Sequence, residues 1–297
     1  MAASTVFVTG CGERSATGDL TVVATTTLVG DVVRVVGGNQ VSLRVLLPQG
    51  ADPHSFEPLP GDVAMLSGAR LVFANGLGLE GFLAPLLHNA VDPRRVVMLS
   101  EGGEPPVETS MDHEHEHLDG VDPHVWFSPP LVAAWARKVS DALGEADPGR
   151  ARLYAARADS YVAVLEDLDG WIRDQVAAIP LPRRVLVTDH SNLGHFASRY
   201  GFKQIGAITP GFSTLAEPSA RELASLTDRI LTAGVPAIFV GMTVSVEIAD
   251  RIGADAGVRV VRLYTGSLSG PDGPAADYLA FMRFNVHAIV SGLAGDG

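Results

Sequence analysis

Between Pro148 and Ala178 the apolar residues Tyr154, Ala158, Tyr161, Leu165, Leu168, Ile172 and Val176 recur at spacings of 4, 3, 4, 3, 4 and 4. That pattern is one apolar stripe along one helix. At 1.5 Å per residue, about 30 residues extend on the order of 45 Å, more than an ordinary crossover within one α/β layer requires. A rod of that length suits a chain with a lobe at each end, and 297 residues suffice for two units of roughly 100–200 residues with apolar cores. Pro180 and Pro182 stop the helix, and a β-rich run begins at Arg184. The expected division is therefore a leading segment 1–19, an N-terminal lobe 20–147, a connecting helix 148–179 and a C-terminal lobe 180–297.

From Leu20 onward, short β-rich runs alternate with longer amphipathic ones, the pattern of parallel strands joined by helices. Expected strands are Thr21–Thr25, Ser42–Leu47, Leu71–Ala74, Val96–Met98, Arg184–Thr188, Gly206–Ile208, Ala237–Val240 and Val258–Leu263. Among the helices between them, Pro218–Ala233 is opened by its proline and closed by Gly234, and Pro130–Leu143 is ended by Gly144. No repeat of solenoid period is present.

With 46% apolar and 19% charged residues and a mean hydropathy of +0.21, the chain is excluded from the disordered class. Its formal net charge of −12 comes without any basic cluster, so release of counterions from a phosphate backbone cannot drive binding. Nucleic acid is thereby excluded as a partner. No apolar run of 18 residues follows the first dozen positions, so no membrane-spanning helix is expected. The start is different in kind: an uncharged, small or apolar stretch leads to Val8-Thr9-Gly10-Cys11 and then turns polar. Those four residues resemble a bacterial lipobox, in which the signal is cut before a cysteine that receives diacylglycerol. Cys11 would then tie the mature protein to the outer face of the cell membrane. The basic stretch that opens such signals is missing, which implies a start codon further upstream. As the single cysteine, Cys11 can form no internal disulfide and no zinc–thiolate cluster.

Three of the nine histidines stand out by context. Asp52-Pro53-His54 follows an expected strand, and Asp122-Pro123-His124 repeats the tripeptide before Trp126-Phe127-Ser128-Pro129-Pro130. Proline fixes its own φ and restricts the residue before it, so both histidines leave stiff loops with a preset direction. His190 directly follows the run Arg184–Thr188 and Asp189, at the carboxyl edge of a parallel sheet, where open α/β folds bind ligands. Each of the three also has an ordinary reading as a hydrogen-bonded structural residue, and their separations match no local zinc motif. The residues alone thus leave open a three-imidazole site between two lobes. Asp112-His113-Glu114-His115-Glu116-His117 is a polar tract that cannot build a core but offers several weak ligands to a divalent cation, with a plain solvated loop as its other reading.

Longer motifs carry a family likeness. These are Leu47 to Pro58 (LPQGADPHSFEP), Ala69 to Glu80 (ARLVFANGLGLE), Asp122-Pro-His-Val-Trp126, Thr188-Asp-His190 through Gly194-His-Phe196 with Arg199-Tyr-Gly201, and Leu263-Tyr-Thr-Gly-Ser-Leu268. Together they resemble the solute-binding lipoproteins of zinc and manganese ABC importers, the cluster A-I or TroA-like group, over nearly the whole chain. The resemblance implies two α/β lobes, each a mainly parallel sheet flanked by helices, joined by one long helix, with metal held in the cleft between them. It puts the first three ligands on His54, His124 and His190, and treats His113, His115 and His117 as an auxiliary metal loop. The fourth ligand, usually an aspartate, falls on Gly266. An acidic position that often follows a Phe-Ala pair falls on Gly241, and the aspartate that usually follows the third histidine is Ser191. Glu57 and Glu217 lie in the relevant loops, but Glu217 stands at an expected helix start, where an acidic residue favours the dipole anyway.

Three neutral imidazoles plus a light fourth ligand suit tetrahedral Zn²⁺, whereas Mn²⁺, the alternative, prefers more carboxylate oxygen. The expected function is capture of Zn²⁺ outside the cell and delivery to an ABC permease by a monomer that touches the membrane through its lipid anchor only. Two other functions share these residues. A three-histidine zinc enzyme with an open water position would need a general base and a substrate pocket, for which no constellation is legible. A surface adhesion or sensor lipoprotein would use the same scaffold.

Overall fold

The structure, a computed structural model, describes residues 20–83, 86, 91–102 and 121–294. The first lobe contains β1 (Leu20–Ala24), α1 (Thr27–Gly37), β2 (Val41–Val45), α2 (Pro60–Gly68), β3 (Leu71–Ala74), β4 (Val96–Met98) and α3 (Pro129–Ala146). The long helix α4 (Ala151–Ala177) leads to β5 (Val185–Thr188), α5 (Gly194–Tyr200), β6 (Lys203–Ala207), α6 (Ala220–Ala233), β7 (Ala237–Gly241), α7 (Glu247–Ala256), β8 (Arg259–Leu263) and α8 (Tyr278–Ala294). The sheets share one topology, β2-β1-β3-β4 and β6-β5-β7-β8, and every neighbouring pair is parallel. Two α/β lobes joined by one long helix are therefore what the chain forms.

Alternation along the central strands explains the layering. Val22 and Ala24 of β1 face a large core, whereas Val23 faces a smaller cluster with Leu46, Leu66 and Val72. In β7, Ala237 and Phe239 join the same large core, while Ile238 and Val240 pack with Leu226, Ile230 and Ile252. The inner faces of both sheets thus share one continuous apolar cluster, and the stripe of α4 is its spine, with all seven periodic residues buried. At 27 residues α4 is about 40 Å long. Arg157 of α4 donates to the carbonyl of Gly37 at the end of α1 (2.6 Å), and Asp169 accepts from Arg199 and Tyr200 of α5. One helix is pinned to both lobes. The last helix returns across the molecule, and the backbone N–H of Tyr278 donates to Asp31 of α1 (3.0 Å).

Several boundaries differ from the sequence expectation for local reasons. Helix α6 begins at Ala220, not Pro218, because Ser219 accepts from the N–H of Glu222 while the Glu222 carboxylate accepts from the N–H of Ser219. Pro148–Arg150 forms a separate 3₁₀ turn, and α4 begins after it at Ala151. Gly144 does not end α3, which runs on to Ala146. The β6 strand lies at Lys203–Ala207, shifted from 206–208 by its pairing with β5, which carries an irregularity between Leu186 and Val187. No helix among the described residues is long and apolar enough to cross a membrane.

Candidate metal centre

Both Asp-Pro-His tripeptides fold alike. In each, the aspartate Oδ1 accepts from the backbone N–H of the histidine two residues on, at 3.0 Å for Asp52 and His54 and 2.9 Å for Asp122 and His124. This is the local turn that aspartate favours, and the intervening proline brings no competing donor. The second carboxylate contact then separates the two. Asp122 Oδ1 also lies 2.8 Å from His124 Nδ1, whereas Asp52 Oδ2 accepts from the Thr214 hydroxyl of the other lobe.

His190 stands one residue past the end of β5. Its carbonyl accepts from the Thr188 hydroxyl, which in turn accepts from Gln204 Nε2 (2.7 Å), and its Nδ1 lies 3.3 Å from Asp189 Oδ2. Asp189 is fixed by the backbone, donating its N–H to Phe239 O (3.1 Å) and accepting from Thr209 N (2.7 Å).

The three imidazoles meet between the lobes. His54 Nε2 and His190 Nε2 lie 3.1 and 3.2 Å from His124 Nε2, and the three candidate donor atoms all fall within 4.8 Å of one another. A tetrahedral Zn²⁺ with Zn–N bonds of about 2.0–2.1 Å places neighbouring nitrogens about 3.3 Å apart. Ring centroids are wider apart than the nitrogens, at 5.0–5.2 Å, with interplanar angles of 56°, 65° and 85°, so the rings splay outward from a shared point. Hydrogen bonding of Nδ1 to a carboxylate, as at His124, keeps the proton on Nδ1 and leaves the Nε2 lone pair for an ion.

Electrostatics act in the same direction. Burial, followed by the charges of His124 and His190, pushes His54 down to about 2, so it stays neutral. Burial lowers His124 as well, only partly offset by Asp122. For Asp122, burial opposes ionisation, but the hydrogen bond and charge of His124 and the charge of His195 hold it below the usual carboxylate range. Asp189 behaves likewise, burial being outweighed by His190 and by the N–H of Gly241. Neutral imidazoles and ionised carboxylates are the protonation states that a divalent cation needs.

Among the described residues, His54, His124 and His190 are the one group of acidic, histidine or cysteine side chains that gathers in this way. Glu57 and Glu217 are exposed. Gly266 packs against the other lobe: a Cβ there would stand 2.8 Å from Pro53 Cδ, so the proline before His54 occupies the space beside it. Cys11, His113, His115 and His117 lie outside the described residues. Sequence reasoning gave no part to Asp189, His195 or Thr265, although two of these flank His190 in the motif that contains it. His195 Nε2 lies 3.0 Å from the carbonyl of Asp122, and Trp126 Nε1 donates to Thr265 O (2.8 Å), so both tie the His124 loop to the C-terminal lobe.

The model of the family described as "Zinc-uptake complex component A periplasmic" (ZnuA) matches residues 22–292. The manganese-binding lipoprotein MntA of Halalkalibacterium halodurans is 31% identical over 97% of this chain and 95% of its own. The zinc-binding protein TroA of Treponema pallidum is 32% identical over 96% of this chain and 92% of its own. The solved structure of the periplasmic zinc-binding protein TroA from Treponema pallidum superposes with a TM-score of 0.84 at 28% identity, over 93% of this chain and 99% of that one. The chain belongs to the ZnuA family, the TroA-like solute-binding lipoproteins of metal ABC transporters.

Proposed function

We propose that this protein captures a divalent transition metal, Zn²⁺ in preference to Mn²⁺, between His54, His124 and His190 and delivers it to the permease of an ABC importer. The observation that carries this reading is the meeting of three imidazole nitrogens from both lobes, two of them on buried rings and one on a half-buried ring, with His54 and His190 at 3.1 and 3.2 Å from His124 and all three within 4.8 Å of one another. Relatives are named for manganese as well as for zinc. An all-imidazole donor set favours zinc, because manganese is better served by carboxylate oxygen. Residues 20–147 and 180–297 act as the two halves of the receptor, with 148–179 as their connection. Binding and release require no chemical step, and the protein acts as a monomer. Cys11 anchors it by lipid outside the cell membrane, where His113, His115 and His117 gather scarce metal for the main site.

The test is a competition titration of the metal-stripped protein with Zn²⁺ and Mn²⁺. One equivalent should bind, zinc the tighter, and His190→Ala should weaken zinc by orders of magnitude with the fold intact. A wild-type protein that binds neither ion, or a His190→Ala variant with unchanged affinity, would defeat the proposal. Zinc-limited growth of a deletion strain separates import from adhesion, an esterase or hydratase assay on the zinc-loaded protein tests for catalysis, and mass spectrometry of the membrane fraction should find lipid on Cys11.

A further inference from the structure

His190 has two neighbours competing for Nδ1. Asp189 Oδ2 lies 3.3 Å from it, and the Asn192 side-chain nitrogen also lies 3.3 Å from it. The two contacts demand opposite tautomers. An Nδ1–H donating to the carboxylate leaves Nε2 bare toward His54 and His124, whereas an Nδ1 accepting from the amide puts the proton on Nε2, where it blocks an ion. Asp189 also decides what Asn192 does, because its Oδ1 takes the Asn192 amide N–H at 3.0 Å while Oδ2 accepts from the Gly241 backbone at 3.2 Å. Gly241 leaves the room for this. A Cβ there would stand 2.3 Å from Thr265 Oγ1, which would have to move, and 3.0 Å from Asp189 Oδ2, which would have to give slightly.

We propose that Asp189 is the positioning residue for His190: it draws off the Asn192 amide, holds the proton of His190 on Nδ1 and turns Nε2 toward the ion, while glycine at 241 leaves room for this carboxylate beside the Thr265 hydroxyl. This rests on the reading of the three histidines as a metal receptor. The carboxylate comes from the residue directly preceding the ligand, so its position is set by the same strand end that sets His190. Loss of a carboxylate that orients a metal-binding histidine costs about 10–100-fold in affinity.

The experiment uses the metal-stripped full chain, with histidine ring tautomers read by ¹⁵N NMR and zinc affinity by competition with a chromogenic chelator. In the wild type His190 should carry its proton on Nδ1. Asp189→Ala should move it to Nε2 as Asn192 takes over Nδ1, and should weaken zinc about 100-fold. Asp189→Asn, which keeps size and one acceptor oxygen, should preserve the Nδ1–H form and lose about tenfold. An Asp189→Ala variant that keeps the Nδ1–H tautomer, or binds zinc within about twofold of wild type, overturns the proposal. Should Asp189→Ala fail to fold, Asp189→Asn decides, and undiminished affinity there overturns it. Wild-type binding that His190→Ala abolishes while the Asp189 variants bind as wild type removes this inference and leaves the receptor reading standing. A wild type that binds no zinc removes both.

Discussion

Gly266 stands where the family resemblance places a fourth ligand, and the obvious repair is to restore an aspartate. The structure predicts that this fails. Any residue larger than glycine at 266 brings a Cβ to 2.8 Å from Pro53 Cδ and 3.2 Å from Pro53 Cγ. Carbon atoms pack best at about 3.5–4.0 Å, so one loop must give by roughly half an ångström or more. Neither is free to do so. Pro53 sits in the turn closed by Asp52 and His54 N–H, and the neighbours of Gly266 are held across the cleft by Trp126 on Thr265 O (2.8 Å) and by Ser267 Oγ on Gly50 N–H (2.9 Å). Because His54 follows Pro53 directly, a displaced proline carries a ligand with it, and metal–ligand distances tolerate only about 0.2 Å. Overpacking of this kind costs about 1–3 kcal/mol. If that cost is borne in positioning His54 for the ion, Gly266→Ala should weaken zinc by about 5- to 150-fold, at 1.4 kcal/mol per factor of ten. Gly266→Asp should also bind more weakly than wild type, since its carboxylate cannot arrive without the same Cβ. In a double-mutant cycle Pro53→Ala should absorb most of the cost of Gly266→Ala, and the chelator competition assay reads all four proteins. Gly266→Ala with wild-type affinity, or Gly266→Asp with higher affinity, would refute the reasoning.

Asp169→Asn should destabilise the protein by about 3 kcal/mol in denaturant unfolding, since it strips the buried carboxylate on which Arg199 (2.7 Å) and Tyr200 (2.7 Å) converge; the low end of the range for breaking a buried pair applies because the Arg199 side chain is 27% exposed. Below pH about 6.5 the unfolded chain protonates His54 and His124 while the folded, metal-free protein resists, so stability should fall with pH by up to about 1.4 kcal/mol per pH unit for each of the two. A melting temperature unchanged between pH 7 and pH 5 would contradict the lowered values. Deletion of residues 112–117 should slow zinc capture at scarce metal and leave equilibrium affinity unchanged in the same competition assay; a collapse of affinity would make the tract a direct donor.

Much of the architecture is written in local patterns. The stripe from Tyr154 to Val176 needs only helical geometry to be legible, and all its residues are buried. The position of His190 follows from its strand, and the repeated Asp-Pro-His announces two stiff turns. What stayed hidden depends on contacts between distant segments. Gly241 and Gly266 look in sequence like lost acids, but each makes room for a group from elsewhere, the Thr265 hydroxyl and the Asp189 carboxylate in one case and Pro53 in the other. Asp189 itself carries no pattern, because its importance lies in an imidazole nitrogen whose neighbours only the fold supplies. The start of α6 is a different failure: Ser219 with Glu222 three residues on is a legible capping box, and it outranks the adjacent proline.

With His54, His124 and His190 as the proposed ligands, the charge balance behind them bears on how a site without an acidic ligand would take a divalent ion. Asp122 and Asp189 are both buried and held below the usual carboxylate range; Asp122 Oδ1 is hydrogen-bonded to His124 Nδ1, and Asp189 Oδ2 stands 3.3 Å from His190 Nδ1. Two carboxylate charges are costly in a water-poor interior unless they are compensated. A dication between the imidazoles cancels both, whereas a monovalent cation leaves one uncompensated. The carboxylate charge that the family resemblance would place on the ion at position 266 is thus carried at 122 and 189, behind the rings. On the proposed reading, an imidazole-only inner layer would favour zinc over manganese, while the aspartates behind it would supply attraction for the cation.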